Sequence, residues 1–348
     1  MSFSRRHFLG TAAAGWPLAG SVRAVGEGKP SRRVKVGQIG TQHGHAAGKM
    51  EALRRLSGHF EVLGLAGATE PAGKAFDGVP RMGMEELLAL PGLEAVVVET
   101  DFPDACAAAH AAVRAGKHVH LDKPGALDRK AFAAMRTEAE QRKVVLQMGY
   151  MLRYNPAFQL MVRAVTEGWL GKVTEIDAMM GKKLDAAARR NLMRLPGGGM
   201  FELGCHLVDA VCCLLGKPQE VHAFSKPAGM DGFQDNQLAV LVYPDAVASV
   251  RCNMADPFGN PRRRFMIAGT EGSLEVMPLE SGRMTVRLTS ARGDYKGGEQ
   301  QVALAVPEGR YDAELVDFAR AIRGEKKLPR DAAFDIAVYE TVLRAAGV

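Results

Sequence analysis

Two short stretches concentrate side chains able to move a proton or hold a developing oxyanion. Gly116-Lys117-His118-Val119-His120-Leu121-Asp122-Lys123-Pro124 reads as a strand that delivers Asp122 and Lys123 at its carboxyl end. A lysine so placed can hydrogen-bond a reacting hydroxyl and stabilise the alkoxide that forms from it. Gly197-Gly198-Gly199-Met200-Phe201-Glu202-Leu203-Gly204-Cys205-His206-Leu207-Val208-Asp209 reads as a turn entering a helix. Spacings of four and three residues put Glu202, His206 and Asp209 on one helical face. An imidazole with a carboxylate neighbour suits proton exchange near neutrality. His206 is therefore the candidate acid–base group, and Glu202 would hold a substrate or tune the imidazole.

The elements that must position these groups fall into two halves. Residues 33–148 alternate strand and helix: strands at 33–39, 60–68, 95–98, 118–121 and 144–148, helices at 45–56, 84–90, 105–115 and 129–142. Near-continuous apolar strands alternating with helices predict an α/β fold, a doubly wound parallel Rossmann sheet. Ligands of such sheets bind outside the carboxyl ends of the strands, where Lys123 lies. After residue 150 the pattern changes. Helices at 156–167 and 201–215 accompany consecutive alternating strands at 173–180, 220–224, 237–243, 247–254, 264–268 and 284–288, and helices at 313–322 and 332–346 close the chain. This predicts an α+β domain with an open, mainly antiparallel sheet. The expected organisation is a leader over 1–24, a dinucleotide-binding domain over 25–148 and a substrate-binding domain over 149–348.

The first strand runs into Gly40-Thr41-Gln42-His43-Gly44-His45. A dinucleotide fingerprint, G-x-G-x-x-G, needs its first glycine for the turn, its second for approach to the pyrophosphate and its third for helix packing. With Gly40 first, Gln42 and His45 fill the other two places, and Gly44 falls one residue short. The motif is weak, but strand, turn and helix stand where it needs them, and helix amides can bind phosphate without the second glycine. Gly40, Thr41, Gln42, His43 and Gly44 are the candidate phosphate contacts. Glu70, ending the second strand, can hydrogen-bond ribose hydroxyls and would repel a 2′-phosphate, which favours NAD over NADP. Thr100, Asp122 and Lys123, at later strand ends, complete the cofactor set. The triple glycine at 197–199 would let its helix start approach the nicotinamide closely.

These segments resemble the glucose–fructose oxidoreductase and inositol dehydrogenase (Gfo/Idh/MocA) family. Its members carry a Gly-Lys-His-Val strand ending in Glu-Lys-Pro, and a Gly-Gly-Gly turn followed by Asp-x-Gly-x-His-x-x-Asp. The resemblance implies that Lys123 is catalytic, that NAD is the cofactor, with NADP possible, and that the substrate is a sugar, polyol or sugar derivative. Tyr150-Met151-Leu152-Arg153-Tyr154-Asn155-Pro156 resembles the family's segment between domains, so Arg153 and Tyr154, with Asp209, are expected at the substrate. Gly269-Thr270-Glu271-Gly272 and the helix around Glu314–Ile322 resemble its hairpin and late helix. Four departures bear on cofactor and substrate: Gln42 replaces the pyrophosphate glycine, Asp122 replaces glutamate, Glu202 replaces aspartate, and Thr100-Asp101-Phe102-Pro103 displaces a Thr-Pro step and its histidine.

Ser4-Arg5-Arg6-His7-Phe8-Leu9, a weakly apolar stretch and Val22-Arg23-Ala24 resemble a twin-arginine export signal with its cleavage site. The expected location is the periplasm, with no membrane attachment after the signal is removed. Without residues 1–24 the formal charge falls from +6 to 42 basic against 39 acidic residues, a balance that demands no nucleic-acid partner. Five cysteines, Cys106, Cys205, Cys212, Cys213 and Cys252, with no C-x-x-C spacing, read as buried apolar residues. The expected partner is a small carbohydrate, with the open sheet available for a homo-oligomer. Two rival chemistries remain: an NAD-using glycosidase or keto-sugar lyase with no net redox, and a metal-dependent hydrolase using His43, His45, His118, His120, His206 and Glu202. The principal reading assigns no metal ligand. A binding protein that has lost catalysis is a further alternative.

Overall fold

Runs of β-branched and aliphatic residues can be buried on both faces only in the middle of a parallel sheet flanked by helices. The computed structural model, which describes residues 32–69 and 73–348, contains such a sheet. Strands β1 (Val34–Ile39), β2 (Phe60–Ala66), β3 (Arg81–Met82), β4 (Ala95–Val98), β5 (His118–Leu121) and β6 (Leu146–Met148) are ordered β3-β2-β1-β4-β5-β6. All the pairings are parallel. Helices α1 (Ala46–Arg55), α2 (Met84–Ala89), α3 (Phe102–Arg114) and α4 (Arg129–Gln141) alternate with them. The order reverses between β1 and β4, which opens a crevice above their carboxyl ends. The expected Rossmann arrangement is present, with the short β3 as an additional edge strand.

The chain divides into two compact units. The described residues as far as Met151 join with Pro307–Ile336, and Leu152–Val306 join with Ala337–Val348. This differs from an expected boundary at 148 with everything beyond it in one domain. The reason is the apolar stripe of α8 (Asp312–Ile322). Its Leu315, Phe318 and Ala319 bury against Val34, Val36, Leu53, Phe60 and Val97. The late helix therefore completes the core of the parallel sheet.

The second unit contains α5 (Pro156–Thr166), β7 (Val173–Gly181), α6 (Ala186–Leu192), a π-helical turn (Met200–Gly204) and α7 (Cys205–Leu215). Strands β8 (Glu220–Lys226), β9 (Asn236–Val242), β10 (Val247–Asn253), β11 (Arg264–Gly269), β12 (Gly272–Val276), β13 (Arg283–Leu288) and β14 (Gly298–Ala303) follow. They form one sheet in the order β14-β13-β12-β11-β7-β10-β9-β8. Only β10 and β7 pair in parallel; the other neighbours are antiparallel, as expected. Strict alternation of buried and partly exposed residues along β9 shows one face covered, and α7 lies against β7 and β10. The strand β14, with sequence GEQQVA, lacks an apolar alternation and escapes a reading based on hydrophobic periodicity.

The first unit also buries a cation. Lys49 on α1 is fully buried and donates to Glu314 on α8, with His120 of β5 3.3 Å from its Nζ. Burial would raise the Glu314 carboxyl, but Lys49 and His120 outweigh it and hold the group below its ordinary range. Burial and then Lys49 push the His120 imidazole down. Removing one partner leaves a buried charge uncompensated, so Lys49→Met should cost about 3–5 kcal/mol in urea denaturation. Lys49→Met with Glu314→Leu should recover most of that loss. The carboxylate contribution exists above the ordinary Glu range and is lost as pH falls through the lowered value, so the double variant should show a flatter acid limb.

Candidate functional site

The turn from β1 into α1 depends on one glycine. Gly40 has φ +89°, and a Cβ there would lie 2.6 Å from the Thr100 backbone at the end of β4. A side chain is therefore excluded by conformation and by space. Gln42, where the fingerprint has its second glycine, braces the turn. Its Nε2 donates to the Gly67 carbonyl at 2.9 Å, and its Oε1 accepts from the Thr41 amide at 2.9 Å. The amides of Gly40, Thr41, His43 and Ala46 donate within the turn and to neighbouring strands. Among the described residues, Gln42 and Gly44 contribute the remaining turn amides beside the first turn of α1, which carries no acid. The cradle fits a dinucleotide pyrophosphate, with fewer donors than three glycines would offer. Thr41 Oγ1 lies 3.2 Å from Thr69 Oγ1. Glu70, the expected ribose contact, lies outside the described residues.

The remaining expected cofactor residues gather beside this turn. Asp122 follows β5, and its Oδ2 lies 2.9 Å from His45 Nδ1 and 3.6 Å from His43 Nδ1. His43 Nδ1 is also 3.2 Å from Glu99 Oε2 at the end of β4, and its ring packs edge-on against Phe102. Burial opposes every charge in this group. Asp122 nevertheless stays well below the usual carboxylate range because His43 and His45 face it. For His43, Asp122 and Glu99 outweigh burial and raise the imidazole; for His45 burial prevails and lowers it. Glu99, fully buried and facing Asp122, is pushed up to about 7.

Glu99 is not among the expected site residues, and His45 enters the expectation only as a ligand of the metal-hydrolase alternative. The His-x-His spacing was legible, but in a turn it does not by itself place two rings together. Glu99 signalled only as an acid ending the apolar run Ala95–Val98. Thr100 hydrogen-bonds the Asp101 carbonyl, and Asp101 caps α3 by accepting from the Phe102 amide. The displaced proline is thereby explained, since Pro103 sits in the first turn of α3 and the helix begins three residues before the expected Ala105. Lys123 follows Asp122 and is 2% exposed, and its amide donates to Asp122 Oδ1 at 2.7 Å.

In the second unit, Glu202 lies in the π-helical turn and His206 and Asp209 on α7. A π turn accommodates one extra residue and often marks a functional segment. His206 is buried, and Glu202 Oε2 is 3.8 Å from Lys182 Nζ. Asp209 and Arg153, both expected at the substrate, meet each other: Arg153 Nε and Nη2 bind the Asp209 carboxylate at 2.6–3.1 Å. Such a forked pair fixes α7 against the segment Met151–Tyr154 that carries Tyr154. Asn155 accepts from the Ala157 amide and starts α5, with Pro156 in its first turn. The glycine triplet serves packing in its own unit. A Cβ on Gly197 would strike Ala346 at 2.2 Å, and one on Gly198 the Gln234 carbonyl at 2.5 Å.

All five thiols are free, and four are buried. Burial pushes Cys106 up to about 11 and Cys252 up to about 12, which suppresses the nucleophilic thiolate. His118 Nδ1 accepts from the Val145 amide and His120 belongs to the Lys49–Glu314 group, so these two histidines do not form a ligand pair. The bracing role of Gln42 yields a direct prediction. Gln42→Gly opens the backbone toward a pyrophosphate and should tighten NAD binding several-fold in a calorimetric titration; weaker binding would mean that the brace itself presents the cradle.

Comparison with known proteins bears on both units. Residues 34–150 match the family model described as "Oxidoreductase family, NAD-binding Rossmann fold", and residues 158–275 match the GFO/IDH/MocA C-terminal domain. A 1,5-anhydro-D-fructose reductase from Ensifer adhaerens is 28% identical over 313 residues, 85% of this chain and 91% of the relative. A trans-1,2-dihydrobenzene-1,2-diol dehydrogenase from Bos taurus is 26% identical over 196 residues, 56% of this chain. That match spans only 57% of the bovine protein's length. A levoglucosan dehydrogenase solved with NADH and levoglucosan shares the fold, with TM-score 0.79 and 20% identity over 91% of this chain and 97% of that one. From its NAD-binding Rossmann unit to its C-terminal sheet, the chain belongs to the Gfo/Idh/MocA oxidoreductase family.

Proposed function

We propose that this protein is an NAD-dependent oxidoreductase acting on a hydroxyl group of a sugar, polyol or sugar derivative, exported to the periplasm by the twin-arginine route. The observation that carries this reading is Lys123, a buried cation at the carboxyl end of β5. It belongs to the same row of strand ends as the Gly40 turn. That row is where an open parallel sheet holds its ligand. The names of the relatives, a reductase of an anhydro sugar and a diol dehydrogenase, agree with hydroxyl–carbonyl interconversion.

NAD, when bound, supplies the hydride acceptor or donor. Gly40, Thr41, Gln42, Gly44 and the start of α1 hold the pyrophosphate, and Thr100 lines the strand-end crevice. Lys123 Nζ hydrogen-bonds the substrate oxygen and stabilises its alkoxide character. His206 exchanges the hydroxyl proton, and Glu202 orients that imidazole or the substrate. Tyr154 is the proposed carbohydrate contact. Arg153 and Asp209 act on it by fixing the segment on which it sits, rather than by spending their charges on the sugar. NADP is the alternative cofactor, and the open sheet is the proposed surface for self-association.

Mass spectrometry of small molecules released from the denatured, purified protein should find NAD or NADP, near stoichiometric if the cofactor is tightly held. Neither nucleotide in the extract, together with no response to an NAD titration, would overturn the reading. Lys123→Ala and His206→Ala should each lower turnover by roughly 10²–10⁴ with nucleotide binding largely kept. Near-normal turnover in both would remove the assigned roles. Substrate consumed with no net change in NADH absorbance would replace net oxidation by a transient redox cycle, as in a glycosidase or lyase.

A further inference from the structure

We infer that the first unit carries a site for a divalent transition-metal ion, with His43, His45 and Asp122 as its protein ligands. One ligand atom from each of the three lies within 4.8 Å of the others. Asp122 Oδ2 is 2.9 Å from His45 Nδ1 and 3.6 Å from His43 Nδ1. Ligands held about 2.0–2.1 Å from a tetrahedral zinc ion stand roughly 3.3 Å apart. The two separations to Asp122 bracket that figure, and the histidine pair stays within 4.8 Å, so side-chain rotation would bring the three donors onto one ion.

The donor set is chemically apt. Two imidazoles and a carboxylate match the three-ligand sites that leave a coordination position for water or a substrate oxygen. The charge around them is apt too. Both carboxylate oxygens of the fully buried Glu99 lack a hydrogen bond of good geometry, and Oε2 lies 3.2 Å from His43 Nδ1. Glu99 and Asp122 place two carboxylates at the buried ends of adjacent strands, with Lys123 as the neighbouring cation. Glu99 Oε2 faces the same His43 nitrogen as Asp122 does, so it stands beside the ion position as a further acidic neighbour. His45, 19% exposed on its side chain, leaves the group a path to solvent. The backbone constrains it further, because the Gly40 turn and the His43 amide bond to the Glu99 carbonyl hold the His-x-His segment against β4.

The proposal shares His43 and Asp122 with the expected cofactor contacts, but metal binding can be read without nucleotide and without turnover. The full chain, stripped with EDTA, would be titrated with Co²⁺ in the absence of NAD and followed by its visible d–d absorption. Zinc content would be measured after reconstitution. The expected result is one equivalent of cobalt bound, with the band lost or the affinity reduced at least roughly tenfold in His43→Ala, His45→Ala and Asp122→Asn. His222→Ala, on the exposed edge strand β8, should leave it unchanged. His45→Gln, at the most exposed of the three, serves if a buried variant fails to fold, as judged by circular dichroism. No saturable cobalt band in the unmodified protein below about 100 µM would overturn the inference, whatever the variants do. So would a band that survives in His43→Ala and His45→Ala. NAD binding without cobalt binding would leave the proposed function standing and remove the metal; cobalt binding without NAD binding would do the reverse.

Discussion

Strands β4 and β5 are almost wholly buried between layers of helices, and that burial decides where charge can reside in the first unit. An ionised group inside such a sheet is costly unless it is paired. Two solutions occur here. Within the layers, His120 is accommodated by closing a group with Lys49 of α1 and Glu314 of α8. At the carboxyl ends the chain leaves the sheet, and Glu99, Asp122 and Lys123 collect there beside His43 and His45. Groups not closed into such a buried network therefore collect at the end of the sheet where the chain leaves it.

The same constraint explains why a defective fingerprint still makes a dinucleotide cradle. The turn needs Gly40 because its positive φ and its contact with Thr100 leave no place for a Cβ. The second glycine position carries no such demand, so a side chain is tolerated there. Gln42 uses it to tie the β1 exit to Gly67 at the exit of β2. The cradle is stiffened and loses some of its free amides in exchange.

In the second unit Asp209 of α7 is committed to structure. Asp209 and Arg153 bind each other in a buried forked pair, so the proposed acid–base role falls to His206, with Glu202 beside it in sequence. The π-helical turn at Met200–Gly204 precedes His206 directly, and the glycine triplet before it is required by Ala346 and Gln234. Precision at His206 therefore rests on packing around the helix start.

Periodicity by itself determined the alternating strands and helices of the first unit, the open sheet of the second, and the identity of Lys123 and His206 as groups at element ends and faces. These are local properties: a buried parallel strand must be apolar throughout, and a half-buried strand must alternate. The polar edge strand β14 was invisible for the same reason, since nothing in its pattern reports pairing. Tertiary structure alone decided that α8 completes the parallel sheet and that Arg153 and Asp209 consume each other's charge. It also decided that His43, His45, Glu99 and Asp122, drawn from three separate strand ends, form one cluster. Spacing along a chain fixes which residues share a face. It cannot fix which ends of distant strands converge, because that depends on the order in which the sheet is wound.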